Sequence, residues 1–380
     1  MICKNKENNI QEQPKISIVL LNWNGWKDAI ECLESLFQLN YTNYDVILVD
    51  NGSFDDSVER IKEYCEGKIR VNSNYFNYNT DDKPIKLLEY SEEDIDIKNL
   101  EKNVALNTYN KRLILIKTKE NYGFDKGNNI GIQFAIKKLD PDYVLIISND
   151  VVVDKNLLAN LVKMAGKDVG LVQPQIYNYY DLSIDNLGFS CDIVGNTRPI
   201  KNLKRSKLFY LSGACLLISK ELILEINKDG KLFDEKLYAY FEDADLSWQA
   251  RLLGYDIKVC LDAICYHKGS QTIKKFNLNT FYLDYRNKLR VLIKNYSLIN
   301  IIMFLPLSIL IKFFTISFKT AFSFNSGYLR SYINALIWNI REFRDTIKQR
   351  VVVQSKRKVG EREIIKHMEL IPFLYLKNYE

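Results

Sequence analysis

Three carboxylates, Glu242, Asp243 and Asp245, open the segment Tyr240–Tyr255, whose later residues have helical spacing. Leu246, Ala250 and Leu253 recur at that spacing, Arg251 falls in the last turn, and Gly254 stands where a helix ends left-handed. The acids therefore lie at a helix N-terminus. Unpaired N–H groups and the helix dipole there favour ionised carboxylates by about 0.3–1 kcal/mol each. A carboxylate kept charged at neutral pH accepts a proton, which is the work of a general base. The same acids also suit an ordinary helix cap, and the segment alone is compatible with both roles.

The elements that must position these acids follow a simple rhythm. Ile16–Leu21, Val46–Val49, Leu113–Ile116 and Tyr143–Ile147 are nearly continuous apolar runs of strand length, as expected of strands covered on both faces. Between them, Trp26–Gln38, Asp55–Tyr64 and Asp125–Lys138 have helical patterns. This alternation predicts an α/β fold with a mostly parallel sheet and right-handed crossovers. Ligands in such sheets collect at the carboxyl ends of the strands. There the chain carries Asn22-Trp-Asn-Gly25, Asp50-Asn-Gly-Ser53, Asn121-Tyr-Gly-Phe124 with Gly127-Asn-Asn129, and Ser148-Asn-Asp150.

Neither a Gly-x-Gly-x-x-Gly turn after the first strand nor a P-loop is present. A nucleotide held without those loops requires carboxylates and amides for base and ribose, and a cation for the diphosphate. Asp50 ends a buried strand, where it either accepts from an imide N–H or ribose hydroxyl or forms a turn with Gly52 and Ser53. Asp150 offers the carboxylate oxygen that Mg²⁺ or Mn²⁺ prefers. His267, one of two histidines, is either structural or a further metal ligand. Trp23, Trp26 and Trp248 suit core packing or stacking on a sugar or base.

Residues 68–112 break the rhythm with a polar run, read as a surface insertion or, functionally, as a lid or acceptor-binding flap. Beyond His267 the chain turns helical and basic, with Arg286, Lys288, Arg290 and Lys294 in Phe281–Asn295. Leu298–Ile311 is strongly apolar, is interrupted by Asn300 and Pro306, and falls short of the roughly 20 residues a bilayer span needs. A helix pair is expected there, packed on the α/β domain or lying in the membrane interface, with the Lys/Arg-rich stretch 341–362 drawn to anionic lipid. The expected organisation is a polar tail over 1–14, an α/β domain over 15–275, and a C-terminal helical, membrane-associated region over 276–380.

Composition narrows the partners. The formal charge of +6 is spread along 380 residues without a zinc-finger or helix-turn-helix spacing, which argues against nucleic acid. The seven cysteines are odd in number, scattered, and set mostly in apolar runs, so free thiols in a reducing compartment are expected. Met1–Lys15 lacks the apolar core of a signal peptide, and the expected location is cytoplasmic, peripheral at the inner face of the cell membrane.

Taken in order, the clusters resemble glycosyltransferase family 2, the inverting transferases of the GT-A fold. The matching stretches are Ile16–Gly25, Val46–Ser53, Asn121–Phe124 with Gly127–Gly131, Ser148–Val153, Leu211–Ile218 and Tyr240–Tyr255. They span about Lys15 to Ser270, and the rhamnosyltransferase-like branch that builds bacterial surface polysaccharides is the most similar. The resemblance implies a Rossmann-like, mostly parallel central sheet flanked by helices, with a C-terminal helical extension. It implies a nucleotide-diphosphate sugar donor, of dTDP-rhamnose or UDP-hexose type, and a glycan or polyprenyl-linked acceptor. Asn22, Asn24, Asp50, Gly127, Asn128, Asn129 and Asn149 would bind the donor. Asp150 and His267 would hold Mg²⁺ or Mn²⁺, Asp243 would be the catalytic base with Glu242 beside it, and Gly213, Ala214 and Trp248 would lie on the acceptor side.

The chain departs from the family pattern at Ser148, usually Asp or Asn, and at Gln249, often Arg, for which Lys126 or Arg251 would substitute near the phosphates. Two other readings compete with sugar transfer. A nucleotidyltransferase would want a glycine-rich basic loop where the chain has Asn22-Trp-Asn-Gly-Trp26. A non-catalytic, sugar-nucleotide-binding scaffold at the membrane would account for Ser148.

Overall fold

The four apolar runs form adjacent parallel strands, because each is buried on both faces and needs neighbours on both sides. The computed structural model describes residues 13–96, 111–269, 278–323 and 326–373. In chain order the strands are β1 (Ile16–Asn22), β2 (Tyr44–Asp50), β3 (Lys86–Ser91), β4 (Arg112–Lys117), β5 (Tyr143–Ser148), β6 (Val151–Val153), β7 (Val169–Asn178), β8 (Ile184–Asn186), β9 (Phe189–Cys191), β10 (Thr197–Pro199), β11 (Cys215–Ser219) and β12 (Asp256–His267). The main sheet runs β3-β4-β2-β1-β5-β11-β7-β12-β6, with β8 paired to β7; β9 and β10 form a separate ribbon.

β3, β4, β2, β1 and β5 are mutually parallel, whereas β11 is antiparallel to both β5 and β7. The result is the mostly parallel sheet of the GT-A fold. Register aligns the ends that matter: Asn22 pairs with Asp50, and Leu21 with Ser148. Because β11 runs the other way, its first residue, Cys215, lies beside Ile147 at that same edge. Residues 211–214 are thereby delivered to the ligand edge.

Helices α1 (Trp26–Phe37), α2 (Ser57–Cys65) and α3 (Gly123–Phe134, continued by a π-helical turn Ala135–Leu139) fall where the periodicity predicts them. The two faces of the sheet carry separate cores, α1 packing with Ile18, Leu20 and Leu48, and α3 with Val19, Ile47 and Val49. Gly127 and Gly131 let α3 lie close on β1: an added Cβ would come 2.6 Å from Leu21 Cδ1 or 2.5 Å from Val19 Cγ1.

Helices α4 (Leu157–Met164) and α5 (Lys220–Ile226) complete the flanks, and α6 (Glu242–Leu252) carries the three acids. Leu246, Ala250 and Leu253 of that segment are buried as their spacing predicts, and Gly254 has φ +86°. The six described cysteines are all free and buried. Burial holds the thiols of Cys32 and Cys191 well above the usual range, so they behave as inert apolar groups.

Two expectations change. Part of the supposed insertion is sheet, since Lys86–Ser91 pairs in parallel with β4 as the edge strand. Its apolar content is too brief and its exposure too great for periodicity to mark it as a strand. The stretch before it covers α1, with Lys83 Nζ 3.0 Å from buried Glu34 and the Tyr75 ring stacked on Tyr266 at 3.9 Å. Residues 97–110 of the expected insertion, and the boundary near 275, lie outside the described residues.

Among the described residues the C-terminal region has five helices rather than a pair: α7 (Leu278–Asn295), α8 (Leu298–Ser323), α9 (Gly327–Arg341), α10 (Phe343–Ser355) and α11 (Glu361–Ile365). Pro306 sits inside α8 without ending it.

Candidate active site

The site is assembled from the carboxyl ends of β1, β2 and β5, the loop before β11, and the start of α6. Asn22 donates through Nδ2 to Asp50 Oδ1 at 3.2 Å and accepts at Oδ1 from Asn149 Nδ2 at 3.1 Å. Gly25 permits that approach, since a Cβ there would sit 2.6 Å from Asn149 Nδ2. Asp50 also accepts from Ser53 Oγ at 2.6 Å and Ser53 N at 3.2 Å, so the turn anticipated at Asp50 is formed. Asn24, at φ +50°, accepts through Oδ1 from Phe54 N at 2.9 Å. These bonds pin the ends of β1, β2 and β5 to one another.

At the far side of β5, Asp150 Oδ2 lies 3.5 Å from His267 Nε2, and Asp185 Oδ2 lies 3.2 Å from His267 Nδ1. Burial by itself would lower the His267 pKa, but hydrogen bonds to Asp150 and Asp185 outweigh it and raise the value to about 10. No group of three His, Cys, Asp or Glu side chains suited to a metal occurs among the described residues. One carboxylate and one imidazole nevertheless fit Mg²⁺ or Mn²⁺, the cation replacing the Nε2 proton, where a substrate diphosphate and water supply the other ligands. Asp185, which sequence reading did not single out, fixes the imidazole orientation as outer-shell carboxylates do. No signal near Asp185 marks it, because the contact spans 82 positions.

A chain of hydrogen bonds joins this end of the site to α6. Ser148 N donates to Ala214 O at 2.9 Å, and Gly213 N donates to Asp243 Oδ2 at 3.3 Å. Asp243 Oδ1 also accepts from Ala244 N at 2.7 Å. Burial raises the Asp243 pKa to about 6, with the N–H groups of Ala244 and Gly213 pulling the other way. Glu242 is pushed further, to about 8, because the Asp243 charge adds to its burial; its Oε2 has no partner. Of the two adjacent acids, Glu242 is thus held the higher. Asp125 of α3, fully buried with both oxygens unpaired, is also held well above the carboxylate range by burial and by Glu242.

The sequence model described as Glycosyl transferase family 2 matches residues 17–80 and 96–226. The chain belongs to glycosyltransferase family 2. Among its relatives is the low-salt glycan biosynthesis hexosyltransferase Agl10 of Haloferax volcanii, 24% identical over 182 residues, covering 44% of this chain and 56% of that protein. Glycosyltransferase GlyG of Streptococcus pneumoniae is 23% identical over 236 residues, covering 58% and 62%. The chain therefore spans less than two thirds of either relative. Among solved structures, mannosyltransferase PcManGT from Pyrobaculum calidifontis in complex with GDP-Man and Mn²⁺ aligns over 91% of this chain and 86% of its own at 13% identity, with a TM-score of 0.49.

Several residues expected from the family pattern have structural partners in this family 2 chain. Asn129 is buried and spent on the 232–235 loop, accepting from Leu232 N and Phe233 N and donating to Phe233 O, each at 2.9 Å. Asn128 is buried and donates to Phe124 O within its own helix. Gly127 serves helix–strand packing, and Asn22, fully buried, ties strand ends together rather than lining a surface. Trp248, expected on the acceptor side, is buried edge-on between Phe209 and Tyr296 in the core shared with the C-terminal helices. Arg251 is buried and donates to Leu208 O and Phe209 O, while Lys126 lies 3.2 Å above the Tyr122 ring.

What sequence reading missed is the brace behind Asp243. Tyr238, Tyr240 and Phe241, just before the acids, have φ of +69°, +73° and +70°. Such conformations cost roughly 1–3 kcal/mol each for non-glycine residues and persist only where the surroundings impose them. Helix α7 does so: Asn287 Nδ2 donates to the carbonyls of Leu237, Ala239 and Tyr240 at 2.9, 2.7 and 2.8 Å. Arg290 grips Asp234 at 2.8 and 3.1 Å, and Lys294 Nζ reaches Asp234 at 2.9 Å and Asp245 at 2.7 Å. Asn295 completes the hold on Asp245 at 2.7 Å. The signal was present, since 286, 290 and 294 recur every four residues and share one helix face.

One consequence concerns pH. A base must be ionised to act, so kcat/KM for sugar transfer is expected to rise about tenfold per pH unit below about 6 and level off above it. A profile that stayed flat through that range would remove Asp243 from the base role.

Proposed function

We propose that this chain is an inverting hexosyltransferase. It moves a sugar from a nucleotide-diphosphate sugar, of dTDP-rhamnose or UDP-hexose type, to a hydroxyl of a glycan or polyprenyl-linked acceptor in surface polysaccharide synthesis. The observation that carries this reading is the place of Asp243 at the start of α6, half-buried at the ligand edge, where it accepts from Gly213 N at 3.3 Å and Ala244 N at 2.7 Å. Family membership supports glycosyl transfer, and the hexosyltransferase among the relatives supports a hexose.

Each residue then has a part in one displacement. Asp243 takes the proton of the acceptor hydroxyl as that oxygen attacks the anomeric carbon, and the bond from that carbon to the diphosphate breaks. The hydroxyl oxygen becomes the new glycosidic oxygen, so no nucleophile from the protein is needed. Gly213 and Ala214 line the acceptor side next to Asp243, while Asp50, Asn24 and Asn149 face the nucleotide. Asp150 and His267 would hold Mg²⁺ or Mn²⁺, which supplies positive charge against the departing diphosphate. We place the reaction on the cytoplasmic side of the cell.

Thermal shift with dTDP-rhamnose, UDP-hexoses and GDP-mannose, each with and without Mn²⁺, tests this directly. The true donor should raise the melting temperature in proportion to ln(1 + [L]/Kd), and more strongly with Mn²⁺. In Asp150→Ala the Mn²⁺-dependent part of that rise should vanish. Equal nucleotide affinity with and without the cation in both proteins would refute the metal role, and no shift with any donor would refute sugar transfer.

A further inference from the structure

Helix α8 is turned inside out for a helix in water. The 21 residues Leu298–Phe318 have a mean hydropathy of 2.2, yet only 11% of the apolar window is buried. A core helix of that hydropathy would be mostly covered. Instead Ile299, Ile302, Met303, Leu310 and Phe314, which helical periodicity places along one stripe, are between 52% and 70% exposed. The polar side chains face the protein: Asn300 Nδ2 donates to Glu361 Oε1 at 2.8 Å, Ser308 Oγ to Val194 O at 2.8 Å, and Lys312 Nζ lies 4.9 Å over the Phe281 ring.

From this geometry we infer that α8 lies in the plane of an anionic lipid bilayer, its outer stripe sunk into the boundary between headgroups and acyl chains. The inference goes beyond sugar transfer itself. Charge selects the occupant, since every exposed charged residue from 326 to 350 is basic: Arg330, Arg341, Arg344 and Lys348. Acids in the same stretch are turned inward or paired, Asp345 with Arg290 and Glu342 with Lys236. Exposed Ile333, Ile337, Ile340 and Phe343 add apolar surface among those cations. Basic and apolar groups together are what an interfacial helix presents to anionic headgroups.

The docking contacts also settle the helix's posture. Asn300, bonded to Glu361 of α11, Ser308, bonded to Val194 between β9 and β10, and Ile309, whose carbonyl accepts from Tyr332 of α9 at 3.0 Å, tie the helix to its neighbours over more than two turns. A helix crossing the bilayer would have to surrender them. Lying flat, it keeps them and offers only its outer stripe to lipid.

Sedimentation of the full chain with vesicles tests this, comparing phosphatidylcholine alone with phosphatidylcholine containing phosphatidylglycerol. The chain should pellet with the anionic vesicles, less so in high salt, and the Ile302→Asp/Phe314→Asp double variant should lose on the order of tenfold or more in partitioning. The indole of a Phe314→Trp variant, one aromatic ring exchanged for another at an exposed position, should be quenched by brominated acyl chains. Wild type left in the supernatant, a double variant that pellets normally while keeping its melting temperature, or an unquenched indole in Phe314→Trp would each overturn the inference. So would a wild-type dimer that the double variant abolishes, because a second copy would then cover the stripe. Vesicle binding is read without donor or turnover, so its failure leaves the transfer reading standing.

Discussion

Asp243→Asn is expected to lower sugar turnover by about 10²–10⁴-fold while leaving donor affinity within about twofold. The reasoning is local. An asparagine keeps one acceptor oxygen, which retains the bond from Ala244 N at 2.7 Å and gives up only the longer one from Gly213 N at 3.3 Å, so the start of α6 should hold its shape. What it loses is the charge and the capacity to take a proton. Glu242→Gln is the matched control. Burial and the neighbouring Asp243 already keep Glu242 protonated at neutral pH, so replacing one neutral group with another should change turnover only a few-fold. Steady-state kinetics with donor affinity measured separately will tell the two acids apart. Wild-type turnover in Asp243→Asn would turn the reading towards a sugar-nucleotide-binding scaffold. Equal losses in the two variants would leave the base unassigned between them.

Lys294→Met is expected to be the most damaging substitution away from the reacting groups. Lys294 is buried between Asp234 and Asp245, and those acids outweigh the burial that would otherwise lower its pKa. Arg290 and Lys294 likewise hold the Asp234 carboxyl well below its usual range against the opposing effect of burial. Removing one partner of a buried pair typically destabilises by about 3–5 kcal/mol, because the remaining charge stays buried without compensation. Denaturant unfolding should show that loss. The double variant Lys294→Met/Asp245→Asn should recover part of it, since the stranded charge is then gone.

The same substitution should lower kcat more than it raises the donor KM. Asp245 lies two residues from Asp243, and a misplacement of about 1 Å at a catalytic group costs up to about 10²-fold in rate. A variant that is destabilised yet turns over normally would show that α7 supports the fold without positioning the base. The brace explains how three left-handed residues can precede the acids at all, since Asn287 holds three of the carbonyls in that stretch.

Local pattern carried most of the fold. The four apolar strands and the helices between them are visible because burial on both faces requires unbroken apolar runs, and a one-sided helix requires a period near 3.6. Polar clusters at the strand ends were legible for a related reason: a parallel sheet presents its ligands there whatever the ligand is. Thus Asp50, Asp150 and Asp243 could be singled out from their positions after particular elements. The edge strand Lys86–Ser91 could not, because it is covered on too little of its surface to need an apolar run.

Tertiary structure decided which polar residues are free to act. Asn128, Asn129 and Trp248 sit in stretches that match the family pattern, yet buried partners consume them, within the helix for Asn128 and far along the chain for the other two. Asp185 acquires its place beside His267 only when β8 folds onto β7. The upward shift of both Glu242 and Asp243 likewise depends on burial and on which N–H groups face their oxygens. Sequence order specifies which groups are near a strand end or a helix start, since those are local consequences of chain geometry. Charge state and hydrogen-bond partners depend on desolvation and on contacts between distant segments, and only the folded chain supplies these.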